Sequence, residues 1–238
     1  MIPTDEIVNE ARRVYGILHQ QDEMNQTLDF LRSKNLRGFV EVGSANGASF
    51  HCWASVIPDG VKVSVDMNLG FGMGPSTNSP EWDAAEKGMG DFGWNPELAQ
   101  MDFPVANEAD YETVRARNNK WRERFSDVRT VEGNCMSPNT VEKLRTVLDG
   151  TLVDWVFIDA WHNIGGMITD FNNYNQFLTP NGYMGFHDIY QTKSTTQFWE
   201  LIKNTFPNTI EFTAGTGIGV LPAESITSTG IYKLPLPV

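Results

Sequence analysis

Two acids and two histidines stand where they could do proton chemistry: Asp159 with His162 in "DWVFIDAWHN", and His187 with Asp188 in "GYMGFHDIY". An imidazole titrates near pH 6.5, so beside a carboxylate it can take a proton at neutral pH. Carboxylates grouped with an imidazole can equally hold a divalent cation. The plain structural alternative is that Asp159 caps the following helix and His162 packs half-buried against Trp161. His187 reads as a ligand, a second base, or a histidine that fixes its loop. His19 and His51 lie in helical contexts and read as structural, and Trp161 either lines an acceptor pocket or simply packs.

These residues need a framework, and the sequence supplies an alternating one. Apolar positions recur at helical spacing over residues 5–34 (Val8, Ala11, Val14, Leu18, then Met24, Leu28, Leu31), predicting two helices ahead of a sheet. Next come the strand in "GFVEVG", a helix over 48–56, the strand "VKVSVDMN", a helix over 109–125, the strand "VRTVEGN" and a helix over 137–148. The strand "VDWVFIDA", a helix over 166–178, "GYMGFHDIY", a helix over 195–204, "NTIEFTA" and "TGIGVLPA" complete the series. Strands alternating with helices predict an α/β domain with a mostly parallel sheet. In such sheets ligands bind beyond the carboxyl ends of the strands. The residues there are Glu41 with Gly43, Asp66, Gly133 with Asn134, Asp159, and His187 with Asp188.

The first strand runs into Gly43-Ser-Ala-Asn-Gly47-Ala-Ser49, a G-x-x-x-G turn and not the G-x-G-x-x-G of dinucleotide sites. Its glycines either admit a ligand close to the backbone or make a tight turn with no ligand. Asp66, ending the second strand, is placed to accept hydrogen bonds from two ribose hydroxyls. Residues 69–108 carry many glycines and prolines with Trp82, Phe92 and Trp94, which reads as a lid or binding segment, or else as a disordered insertion, in one domain spanning 1–238.

Composition narrows the partners. Thirty acidic and eighteen basic residues give a net charge of −12, which repels phosphate backbones and argues against nucleic-acid binding. No apolar run approaches membrane-spanning length, and the first residues lack a signal-peptide core, so a cytoplasmic protein without membrane contacts is expected. Cys52 and Cys135 lack metal-site spacing and read as packed thiols.

Taken together, "VEVGSANGAS", "SVDM", "VEGN", "WVFIDAWH" and "LTPNGYMGFHD" resemble the class I S-adenosylmethionine-dependent methyltransferases. The order F-I-D-x-x-H, helix, L-x-P-x-G-Y and a strand ending H-D is similar to the sugar and macrolide O-methyltransferase group, which includes cephalosporin-hydroxylase-like proteins. The resemblance implies a Rossmann-like, doubly wound seven-stranded sheet with helices on both faces, an N-terminal helical preface and an insertion after the second strand. It also implies S-adenosylmethionine bound by Glu41, Gly43, Ser44 and Gly47 at its methionine part. Asp66 and Met67 would bind at the ribose, Asn134 and Cys135 at the adenine, with Asp159 nearby. Asn134 departs from the acid common at its position.

In metal-dependent relatives the place of Asp159 and the acids ending the next strand hold Mg²⁺, and a histidine at the place of His162 acts as base. Asp159, His187 and Asp188 are therefore the implied metal ligands. His187 stands where some relatives have glutamate, which leaves the site to Mn²⁺, another divalent ion or none, with Asp159 and Asp188 orienting the acceptor directly or through a metal. The implied reaction is O-methylation of a small-molecule hydroxyl, with sugars suggested by the group alone. A hydroxylase-like redox activity and a non-catalytic binding module are the alternatives. The apolar tail "IYKLPLPV" either docks on its own sheet or meets a partner, and the oligomeric state stays open.

Overall fold

The computed structural model describes residues 2–16, 19–67 and 108–236. The expected 69–108 insertion, with Trp82, Phe92 and Trp94, lies outside the described residues except for its last position, as does Leu18.

In chain order the elements are α1 (Thr4–Tyr15), α2 (Gln21–Ser33), β1 (Phe39–Val42), α3 (Ala48–Val56), β2 (Lys62–Asp66), α4 (Glu108–Arg124), β3 (Val128–Glu132) and α5 (Pro138–Leu148). They continue as β4 (Val153–Ile158), α6 (Ile164–Tyr174), a 3₁₀ turn (Asn175–Phe177), β5 (Leu178–His187), α7 (Lys193–Thr205), β6 (Ile210–Phe212), β7 (Ile218–Pro222) and α8 (Ala223–Thr229). The seven strands form one sheet ordered β3-β2-β1-β4-β5-β7-β6. The β1, β2, β3, β4 and β5 pairings are parallel, and β7 runs antiparallel to both β5 and β6.

Strands buried on both faces read as near-continuous apolar runs, as β4 does from Trp155 to Ile158. Along β4, Trp155 and Phe157 enter a core shared with α1, α2, α3 and Trp121 of α4. Val156 and Ile158 enter the opposite core, with α5, α6, α7 and α8. Period-two alternation thus feeds helical layers on both faces.

Register brings the chemistry to one rim. Val42 pairs with Val65 on one side and Ile158 on the other, and Ile158 pairs with Phe186. The next residues, Gly43, Asp66, Asp159 and His187, therefore stand together at the rim of the sheet. Chain order reverses between β1 and β4, so that rim is the switch point where the loops diverge.

Two expectations need correction. The helix predicted over 166–178 stops at Tyr174, and β5 begins at Leu178, four residues ahead of the "GYMGFHDIY" run. Pro180 offers no N–H to continue a helix, and Leu178 instead pairs with Val153 ahead of a register shift. Helix α8 adds an element that the apolar spacing does not predict. The tail docks on α6, where Asn172 exchanges hydrogen bonds of 3.0 and 2.7 Å with the Leu234 backbone. No helix among the described residues is long and apolar enough to cross a membrane.

Candidate active site

The crevice has two unlike halves. On the β1–β2–β3 side, Gly43 adopts φ +86°, and a Cβ there would stand 2.0 Å from the Asp159 carbonyl oxygen. Gly47, at φ +91°, leaves room for the Trp121 ring, which a Cβ would meet at 2.3 Å. Both glycines of the turn are thus required by the protein's own packing. The Asp66 carboxylate accepts the Ala45 N–H at 2.7 Å, binding the end of β2 to the turn. Arg117 of α4 donates to the Ala45 carbonyl from the other side and lies over the Trp121 ring.

Glu41 is fully buried beneath this turn. One oxygen accepts the Trp53 indole N–H at 2.9 Å, and the other has no hydrogen bond of good geometry. Burial pushes its pKa up to about 7 despite the Ser44 and Ser49 hydroxyls beside it. At the end of β3, the Asn134 Oδ1 accepts the Met136 N–H at 3.1 Å, so the atom that the resemblance directs toward an adenine amino group already closes its own turn. The buried Cys135 thiol faces Asp170 of α6 at 3.5 Å. Asp170 is wholly buried, its Oδ1 has no partner, and burial lifts its pKa to about 7. Asp170 gave no sequence signal, being one acid on an otherwise ordinary helix.

The β4–β5 side concentrates charge. His162 Nε2 stands 3.5 Å from Asp159 Oδ1 and 3.2 Å from Asp188 Oδ2. His187 Nδ1 lies 3.0 Å from Asp188 Oδ1 and 3.4 Å from Asp159 Oδ1. Asp188 turns into this position at φ +58°, a left-handed conformation that Asp tolerates better than most residues. Asn163, not Asp159, caps α6, accepting the Gly166 N–H at 2.7 Å. Trp161 is buried against Gly166, as its packing reading expects.

Two members of this half were missed or misread from sequence. His19, in the connection between α1 and α2, brings Nε2 to 3.3 Å from Asp159 Oδ2, and its ring lies 3.7 Å from that of His187. Glu23 of α2 is fully buried, with Oε1 3.3 Å from His187 Nε2 and Oε2 accepting the Gly217 N–H at 3.0 Å. The helical spacing made both look like ordinary helix residues. His51 does keep a structural role, buried between the rings of Tyr15 and Phe125.

The imidazoles decide the protonation here. Burial would raise Asp159, but His187, His162 and His19 outweigh it and hold the acid well below the usual carboxylate range. Burial would lower His187, but Asp159, Asp188 and Glu23 lift it well above an ordinary histidine. His162 is likewise lifted, against burial, by Asp159 and Asp188. Burial and the neighbouring His187 push His19 down to about 4.

A family model described as "Methyltransferase domain" matches residues 40–189, the span from β1 through the end of β5. The chain belongs to the methyltransferase domain family. With its seven-stranded sheet, this places the methyltransferase in the class I S-adenosylmethionine-dependent superfamily.

Solved structures share the fold at low identity. A Staphylococcus aureus protein assigned provisionally as a caffeoyl-CoA O-methyltransferase superposes with a TM-score of 0.57 at 16% identity, covering 92% of this chain and 91% of that one. The Bacillus cereus O-methyltransferase in complex with SAH gives 0.54 at 13% identity, covering 93% of both. MycE, from the mycinamycin biosynthetic pathway and in complex with Mg and SAH, gives 0.52 at 11%, covering 93% of the methyltransferase and 55% of MycE. A comparison with curated proteins finds none that matches.

Proposed function

We propose that the methyltransferase transfers a methyl group to a hydroxyl oxygen of a small molecule, with sugars the first class to try. One observation carries the reading: at the switch point, a partly exposed histidine, His162, has its Nε2 set between two acids, the half-buried Asp159 and the buried Asp188. An alcohol is a poor nucleophile until it loses its proton, and a positioned imidazole is suited to take it. Nε2 faces the acids, so Nδ1 is the nitrogen that takes the hydroxyl proton. The acceptor oxygen then forms its C–O bond as the S–CH₃ bond breaks and S-adenosylhomocysteine departs.

Cofactor binding falls to the other half. Gly43, Ser44 and Gly47 would border the methionine part, with Glu41 beneath them. Asp66 and Met67 would meet the ribose, and Asn134 and Cys135 the adenine. A carboxylate already facing the glycine turn, as Asp66 does, fits a ribose whose hydroxyls need an acceptor. Asp159, His187 and Asp188 would hold a divalent ion, and Mg in the complex of the fold relative MycE supports that reading. The donor set fits such an ion, which would lower the pKa of an acceptor hydroxyl and offset the acids that raise His162.

Calorimetry of the protein with S-adenosylmethionine and S-adenosylhomocysteine, with and without Mg²⁺ and EDTA, is the first test. Binding of both nucleosides is expected; no heat and no thermal shift with either would sink the reading. Mass-spectrometric detection of a 14 Da gain across a panel of sugar and phenolic hydroxyls then identifies the acceptor class.

A further inference from the structure

The histidine that looked structural in the sequence changes what kind of ion the crevice would take. We propose that the crevice is an imidazole-rich site for a borderline transition ion of the Mn²⁺, Fe²⁺, Co²⁺ or Zn²⁺ class. In it, His19 is a ligand supplied by the α1–α2 connection, and Glu23 is the positioning residue for His187. The inference rests on the divalent-ion reading above and deepens it.

Three observations converge. The donor atoms of His19, Asp159 and His187 form one group within 4.8 Å of each other, and those of Asp159, His162 and Asp188 form a second that shares Asp159. Neighbouring nitrogens and oxygens are 3.0 to 3.5 Å apart. Two ligands each about 2.1 Å from one ion lie roughly 3.0 Å apart at a right angle and roughly 3.4 Å apart at a tetrahedral angle.

The spacing alone would also suit ordinary ion pairs, so the direction of the N–H groups decides. His19 Nε2 and His187 Nδ1 are buried, and neither makes a hydrogen bond of good geometry, although carboxylate oxygens stand within reach of both. Nitrogens packed among carboxylates but not bonded to them are what ligands sharing a central ion would leave. His187 is only 6% exposed, so water is a poor substitute partner for it.

The surroundings fix the ligands in place. Arg12 donates to the His19 carbonyl at 2.8 Å and to Gln21 at 2.9 Å, holding the connection over the crevice. Glu23 receives the Gln20 and Gly217 N–H groups, and its Oε1 faces His187 Nε2. A carboxylate behind a histidine that turns its other nitrogen to the site is the usual second layer of a metal centre. Mg²⁺ and Ca²⁺ favour all-oxygen sets, whereas imidazole favours the later first-row ions.

The test uses the full chain stripped with a chelator. Co²⁺ is titrated and followed by its visible ligand-field absorption, and Mg²⁺ by calorimetry. Co²⁺ is expected to bind at least about 100-fold more tightly than Mg²⁺. His19→Ala and His19→Gln should each weaken Co²⁺ binding at least about tenfold and shift the absorption band. The metal-free thermal midpoint should stay put, which separates ligand loss from misfolding. Glu23→Gln should weaken Co²⁺ by about tenfold through His187. Equal affinity for Mg²⁺ and Co²⁺, or an unchanged Co²⁺ affinity and spectrum in both His19 variants, overturns the inference and leaves the divalent-ion reading standing. A chain that binds neither ion overturns both.

Discussion

Both halves of the crevice bury carboxylates, yet they treat them in opposite ways. On the β1–β2–β3 side, Glu41 and Asp170 have only weak or neutral partners, and burial drives both toward pKa values of about 7. On the β4–β5 side, Asp159 and Asp188 are nearly as enclosed but stay ionised because imidazoles face them. An isolated charge in a low-dielectric interior neutralises itself, whereas a paired one persists. Beneath its turn the first half therefore stores no buried charge, and the acid it offers a ligand is Asp66 at the rim. The second stores charge for moving a proton or holding a cation.

The sharpest way to break this contrast is through the base. His162→Ala is expected to lower methyl transfer by about 10² to 10⁴-fold while leaving S-adenosylhomocysteine affinity within about twofold. A large loss of nucleoside binding would show that the halves are not separable.

Next in size is the glycine that joins the two halves. Gly43→Ala meets both a left-handed φ and the Asp159 carbonyl, so it should cost about 3 to 4 kcal/mol, read as a denaturant midpoint shift. Little change would mean that β1 and β4 separate at their ends more readily than their register suggests.

Asp170 tests the neutralised acid directly. Its folded pKa of about 7 lies above the unfolded value near 3.9, so the folded state binds the extra proton and stability falls as pH rises between them. Asp170→Asn lacks that slope. From pH 5 to pH 8 the variant should gain about 3 kcal/mol relative to the natural chain in urea unfolding. Parallel pH profiles would mean that Asp170 is not held neutral.

The smallest effect concerns the cofactor alone. Asp66→Ala should raise the dissociation constant for S-adenosylhomocysteine about 10- to 100-fold and leave Co²⁺ binding untouched. Loss of both would again merge the two halves.

The same contrast explains what could be read from the chain. The sheet and the β1–β2–β3 rim were legible because each piece is contiguous: Gly43 to Gly47 is one turn, and Asp66 ends one strand. Asp159 with His162 was legible for the same reason. His19 and Glu23 were not, because their partners lie some 140 to 190 residues away, and only the packing of α1 and α2 against the sheet brings them together. The ends of α6 and β5 were misplaced because the pairing of Leu178 with Val153, a tertiary contact, overrode the local apolar pattern.

The reach of Glu23 to Gly217 has a practical consequence for anyone trimming the protein. A fragment cut to residues 40–189 would keep every strand-end motif that marks the family. It would lose His19 and Glu23 ahead of the sheet, and Gly217 and Thr216 behind it, the groups that close around His187 from both sides. The smallest segment recognisable as this family is therefore shorter than the smallest segment that can assemble its charged pocket.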